Sequence, residues 1–325
     1  MHSSPVPSRM NAPLTITDGA ARLTTDPRIG GSFLNFSANI DGEWLDIMRA
    51  TPKDFKTSSD TASFLMAPYP NRIRDGAFMF QGRRYELKFP EKHAIHGDVR
   101  NRAWRVEAVS DNETTLSFRS RDFADINYPF AFSVNQSFRI SGGNLLVRCS
   151  IKNEDQRHIP VGCGYHPYFM RALGGCDEIV NLKFSAQGAY PYSGETPLPE
   201  GMAIPVTTPQ NFFAQRELDV ALDTCFSGWD GVAEMVWPES KVRVVMHASS
   251  NMSHLVLFSP PGKPFFALEP QTMMTDGFNF LARGEHNTGA AIIAPGESLS
   301  TWFSLTVEKL SLKGLNALES GGTSA

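Results

Sequence analysis

Residues 130–140 read FAFSVNQSFRI, with apolar and polar side chains taking turns along the run. Only an extended backbone throws every second side chain to the same face, so the stretch predicts a strand with one face buried. The same period of two recurs in Tyr85–Phe89, Thr115–Arg119, Leu145–Ile151, Lys241–Ala248, His254–Phe258 and Leu299–Val307. Turn-forming residues fall between these runs: Gly142-Gly143, Asn153 to Asp155, Pro260-Pro261-Gly262 and Pro295-Gly296-Glu297. No stretch sustains helical spacing, and strands do not alternate with helices, which argues against a doubly wound parallel sheet. With 26 Gly and 22 Pro as punctuation, the expected fold class is all-β, a large antiparallel β-sandwich.

A chain of 325 residues, 41% of them hydrophobic, can bury a large core. No linker-like stretch interrupts it, so one domain over residues 14–317 is expected, with flexible segments at 1–13 and 318–325 where Ser, Pro, Gly and Thr crowd together. A net charge of −4 gives no electrostatic footprint for nucleic acid or an anionic membrane surface. No apolar run approaches the roughly 20 residues of a membrane-spanning helix. The N-terminus lacks the apolar core of a secretory signal. Cys149, Cys163, Cys176 and Cys225 form no C-x-x-C pair and are read as reduced. A soluble, cytoplasmic protein, monomer or homodimer, is the expectation.

Four stretches carry candidate chemistry. In APYPNRIRDG, Asn71-Arg72 follows a rigid proline segment, where a guanidinium can fork donors onto two neighbouring oxygens or simply decorate a turn. In HAIHG, His93 and His96 stand three apart, but no further ligands at telling spacings support zinc; His96 is read as a hydrogen-bonding cleft residue or a packing one. In GCGYHPYF, His166 lies among Tyr165, Tyr168 and Phe169, which can form an apolar wall. Burial lowers an imidazole pKa and a nearby carboxylate raises it, so such a ring can be tuned for proton transfer. In FFALEPQ, Glu269 follows four apolar residues, an expensive place for a carboxylate unless paired or functional. Beside these, LDVALDTCFSGWDG offers Asp223, with Asp219 and Asp230 as alternatives, and Trp229 as either a stacking surface or a core residue.

Taken in order, NRI, then H-x-I-H-G, HPYF, LD…F…W and LEPQ…D-x-F-N make the chain resemble the aldose 1-epimerase (galactose mutarotase) family over roughly residues 30–310. The resemblance implies a β-sandwich of the galactose mutarotase type and a reaction needing neither metal nor cofactor. It implies that Glu269 is the general base and His166 the general acid. It further implies that Arg72, His96 and Asp223, with Asn71 beside Arg72, hold the sugar's oxygens. Anomer interconversion removes a proton from O1 and supplies one to the ring oxygen O5, tasks that a carboxylate and an imidazole divide between them. A separation of about 5–7 Å between the two groups would leave a hemiacetal within reach of both. Two alternatives remain open at this level: an epimerase of a phosphorylated or otherwise acidic sugar, its anion met by Arg72, Arg74, Arg83 or Arg84, and a carbohydrate-binding protein without catalysis.

Overall fold

The computed structural model describes residues 12–194 and 196–311. All but residues 12 and 13 of the expected flexible ends, and the domain's expected boundary at 317, lie outside the described residues.

Alternation along the chain becomes strands, as Phe132–Ser141 illustrates with its regularly buried and unburied positions. That strand is joined to Asn144–Asn153 by Gly142-Gly143 alone, both glycines at positive φ (58° and 76°). Two left-handed residues in a two-residue loop give the turn whose twist matches the strands it joins, and a side chain there would be strained. One polar side chain, Gln136, sits on the buried face of this strand. Its amide donates to the Gly30 carbonyl at 2.9 Å and its oxygen accepts from the Tyr165 hydroxyl at 3.3 Å, so neither end is left unpaired.

Nine strands form one antiparallel sheet. Its order runs Arg216–Glu217, Asn181–Phe184, Val232–Trp237, Val242–Ala248, Ser298–Lys309, Asn144–Asn153, Phe132–Ser141, Glu113–Arg119, Arg105–Val109. The opposing sheet runs Gly188–Ala189, Leu222–Ser227, His254–Ser259, Phe265–Gln271, Gly164–Tyr165, Leu65–Met66, and Tyr168–Met170 also pairs with Phe265–Gln271. Their inner faces share one buried cluster that includes residues from Leu14 to Leu305, with Tyr165 of one sheet against Phe303 of the other, ring centroids 5.1 Å apart. The fold is therefore an all-β sandwich of two antiparallel sheets. Among the described residues α-helix is confined to Glu91–Ala94 and Gly277–Ala282, and neither is long and apolar enough to cross a membrane.

One expected strand is cut short. Tyr85–Phe89 alternates in sequence, but the observed strand is Arg83–Glu86. Leu87 adds one more bond in register, its N–H donating to the Gly76 carbonyl at 2.8 Å, but Gly76 at φ 63° ends the partner strand and the Phe89 N–H donates instead to Asn127 Oδ1 at 3.0 Å.

Candidate active site

The strand Phe265–Gln271 is buried on both faces from Phe266 onward. Its period of two sends Phe266 and Leu268 into the main core cluster and turns Ala267, Glu269 and Gln271 to the sheet's other face. On that face the register builds a row. Cys225 pairs with Val256, Val256 pairs with Glu269, and the pairings of Gly164 with Gln271 and Tyr168 with Ala267 bring His166 opposite Glu269. Asp223, two residues before Cys225, points the same way.

His166 Nε2 lies 3.1 Å from Glu269 Oε1, and the second carboxylate oxygen accepts from the Gln271 amide at 2.9 Å. The two groups are thus in contact, closer than the 5–7 Å expected from sequence. Cross-strand register is the reason: directly opposed residues hold their Cβ atoms about 5 Å apart, leaving no gap between two side chains of this length. Both are nearly buried, with side-chain exposures of 8% for His166 and 3% for Glu269. The Tyr168 ring packs on the imidazole at 4.3 Å and its hydroxyl lies 3.4 Å from Nε2, while Phe64 covers it at 4.9 Å.

Burial drives the acid–base character of the pair. It pushes the Glu269 carboxyl well above the usual carboxylate range, with the Asp223 charge acting in the same sense. It pulls the His166 imidazole well below its usual value, assisted by the positive charges of Arg49 and Arg100. Each group is driven toward its neutral form, so the contact is a hydrogen bond with one proton between them rather than a fixed ion pair.

Loops from the far side of the sequence close over this row. The Arg72 guanidinium donates to Asn71 Oδ1 at 3.1 Å and exerts its charge on both Asp223 and Glu269. His96 is buried, its ring 5.4 Å from that of His166, and its backbone N–H donates to the Asn71 carbonyl at 2.6 Å. Asn71, itself buried at φ 53°, is the bracket that ties these two residues together. Asp223 is half-buried and its carboxyl is raised by desolvation, with Arg72 opposing. Exposed Asp219 instead pairs with Arg216 at 2.9 Å, and Asp230 caps its own turn through the Val232 N–H, so neither belongs to the site. The structure therefore gathers Glu269, His166, Arg72, His96, Asp223 and Asn71 on one side of one sheet.

Some neighbours do not join them. Trp229 is a core residue whose indole donates to the Val232 carbonyl at 2.8 Å, and Tyr165 points into the sandwich. Phe169 packs on Phe266, which leaves Tyr168 as the wall. His93 accepts the Asp75 N–H at 3.0 Å away from His96, and among the described residues no three His, Cys, Asp or Glu side chains converge to hold a metal ion. Two larger concavities of about 400 Å³, one beside Leu14 and Asp111 and one across Thr115, Arg148 and Trp302, contain no such acid–base pair.

Several site residues carry no signal in the sequence. Asp276 receives the Arg74 N–H on its carboxylate at 2.9 Å and donates its own N–H to the Arg72 carbonyl at 2.8 Å, clamping the Arg72 loop from both sides. Only its place in the D-x-F-N motif marked it. Gln271 was marked only by its place in LEPQ, and Arg49 and Arg100 went unmarked altogether. Among the described residues, the buried side-chain atoms without a hydrogen-bond partner include His96 Nδ1, His166 Nδ1 and Gln271 Oε1, all clustered here. Orphaned polar atoms in a folded interior identify a place built to bond something from outside.

Gly97 fixes the His96 loop and supplies a stability prediction. It sits at φ 65°, bridged to Ala67, and a Cβ there would come 2.1 Å from the Ala67 carbonyl oxygen. The obstacle is backbone and cannot rotate away, so Gly97→Ala is expected to cost about 2–4 kcal/mol. Urea unfolding measures this; a loss under about 0.5 kcal/mol would show that the loop yields freely.

The site is thus a buried carboxylate–imidazole pair on one face of an antiparallel β-sandwich, with Arg72, His96 and Asp223 around it. The sequence profile of the aldose 1-epimerase family matches residues 14–306, and the chain belongs to that family. It is 25% identical over 288 residues to the uncharacterized protein YphB of Escherichia coli K12, covering 83% of this chain and 93% of that one. The fold is shared with a galactose mutarotase-like protein from Clostridium acetobutylicum, at a TM-score of 0.79 and 22% identity over 91% of this chain and 95% of that one. It is shared too with the GalM/aldose epimerase homologue from C. elegans, at 0.77 and 16% identity over 92% and 99%.

Proposed function

We propose that the protein is an aldose 1-epimerase that interconverts the α and β anomers of an aldose by general acid–base ring opening. The observation that carries this reading is the 3.1 Å contact between His166 Nε2 and Glu269 Oε1 at the base of the site. O1 and O5 are bonded to the same carbon, so the groups that exchange protons with them must also be close together. When the pair's one shared proton sits on His166, Glu269 as carboxylate takes the O1 proton while His166 gives its proton to O5, and the C1–O5 bond breaks to leave the open-chain aldehyde. After rotation about C1–C2 the transfers reverse on the other carbonyl face. Glu269 returns a proton to O1, His166 recovers one from O5, and the pair ends holding the single proton with which it began.

Arg72, His96 and Asp223 hold the sugar's hydroxyl oxygens in place, and positioning of this kind contributes to rate by removing wasted orientations. Saturation transfer between anomeric proton signals tests the reading. Wild-type protein is expected to accelerate exchange of at least one aldose well beyond the buffer rate. Exchange at the buffer rate across hexoses, pentoses and their acidic derivatives, with sugar binding demonstrated, would leave a binding protein instead.

A further inference from the structure

Resting on that reading, we infer that the sugar this site is built for carries an anionic group on C6, and that Arg49 and Arg100 receive it. The two guanidiniums flank the rings that cover the proposed acid. Arg49 stacks 3.5 Å from the Tyr168 centroid, and Arg100 lies 5.1 Å from that of Phe64. Those same two rings pack on His166.

Neither arginine meets a carboxylate within ion-pair distance among the described residues. Arg49 donates from Nε to the Thr61 carbonyl at 2.9 Å and from Nη2 to the Ser59 carbonyl, while Arg100 donates from Nη1 to the Ser59 and Ser58 hydroxyls. Asp60 is the nearby acid, but its carboxylate accepts the N–H groups of Lys56 and Thr57 at 3.0 and 2.9 Å. Both arginines are half-buried, and the desolvation of each lowers its pKa. Holding a serine turn by its carbonyls and hydroxyls does not require two charges. Charges removed from water with no carboxylate in contact are costly, and a site keeps them where the ligand brings an anion into contact.

Geometry selects the carbon. His166 serves O5, and C5, which bears C6, is bonded to O5. A substituent on C6 therefore falls on the His166 side, where Tyr168 and Phe64 pack on the imidazole. Arg49 and Arg100 exert their charges on His166, Asp223 exerts its charge on Glu269, and Arg72 acts on both, so Asp223 marks the other end of the sugar. Of the four arginines that sequence alone offered for such a role, Arg72 lies at the site beside Asp223 and Glu269, and the other three do not join it: Arg74 is spent on the Pro199 carbonyl and Asp276, Arg84 pairs with exposed Glu86, and Arg83 lies over Tyr85. The chemistry is shared by a 6-carboxylate, a 6-phosphate and a 6-sulfonate, and the experiment separates them.

Calorimetric titration of the wild-type protein with glucose and galactose, and with their 6-carboxylate, 6-phosphate and 6-sulfonate counterparts, tests this independently of catalysis. At least one anionic sugar is expected to bind about 10- to 100-fold tighter than its neutral parent, the scale of one or two charge-assisted hydrogen bonds. The ratio is expected to fall toward one in Arg49→Met and Arg100→Met, and to shrink as salt is raised. Equal affinities of neutral and anionic sugars in the wild-type protein would overturn the inference whether or not the variants fold. Preferred binding of an anionic sugar without anomer exchange would uphold it and end the epimerase reading. Fast exchange of a neutral hexose with no anionic preference would do the reverse.

Discussion

Glu269→Gln is expected to slow enzyme-catalysed anomer exchange by about 10²- to 10⁴-fold, the span that one positioned general acid or base contributes. The substitution keeps the shape and removes the basic oxygen. Gln271 donates to Glu269 Oε2 at 2.9 Å, and the new amide retains an acceptor for that bond. Folding is not the weak point of the test. The carboxyl is buried and held toward its neutral form, so a neutral amide spares a desolvation cost, and the unfolding temperature is expected to hold or rise. A fall in kcat with little change in KM would place the lost interaction in the transition state. Exchange within about threefold of wild type, a difference worth well under 1 kcal/mol, in a folded Glu269→Gln variant would remove Glu269 as the base.

Local pattern carried much of the fold into view because alternation of burial is a property of neighbouring residues. Strands such as Phe132–Ser141 and Val242–Ala248 have that pattern written into them, and Gly142-Gly143 marks a turn needing two positive φ angles. Tyr85–Phe89 carries the same pattern and is still cut short, because the partner strand ends at Gly76, at φ 63°, and the side chain of Asn127 captures the Phe89 N–H. Such a competitor is invisible locally. Trp229 shows the same limit for single residues, since nothing about an aromatic side chain says whether it will face a core or a cleft.

The site was legible as residue types and illegible as geometry. Glu269 announces itself by following four apolar residues, and the ordered motifs implied partners for it. Its contact with His166, though, is made by a strand register spanning about a hundred residues of chain, and no short-range pattern encodes that. Arg49 and Arg100 are harder still. They sit in unremarkable polar stretches, and their importance comes from what they lack, a carboxylate within reach, which only a folded chain can reveal. Asp276 acts on Arg72 through backbone hydrogen bonds from two hundred positions away. The motif that contains it marks the residue without indicating the clamp.

His166→Gln is expected to cost a comparable factor, about 10²- to 10⁴-fold, and its residual rate should respond to pH in the opposite sense to that of Glu269→Gln. The wild-type pair works with one proton. Adding a second occupies the base and removing the last empties the acid, so the wild-type profile is a bell whose limbs belong to the pair jointly. With His166 gone, the remaining requirement is an ionised Glu269, whose pKa is raised by burial. The residual rate then climbs as pH rises through a value above the usual carboxylate range. With Glu269 gone, the requirement is a protonated His166, whose pKa is lowered by burial and by Arg49 and Arg100. That residual rate climbs as pH falls through a value below the usual imidazole range. Buffer-subtracted exchange rates across pH, measured for both variants, separate the two roles. Parallel profiles, or profiles exchanged between the variants, would mean that the acid and the base have been assigned to the wrong side chains.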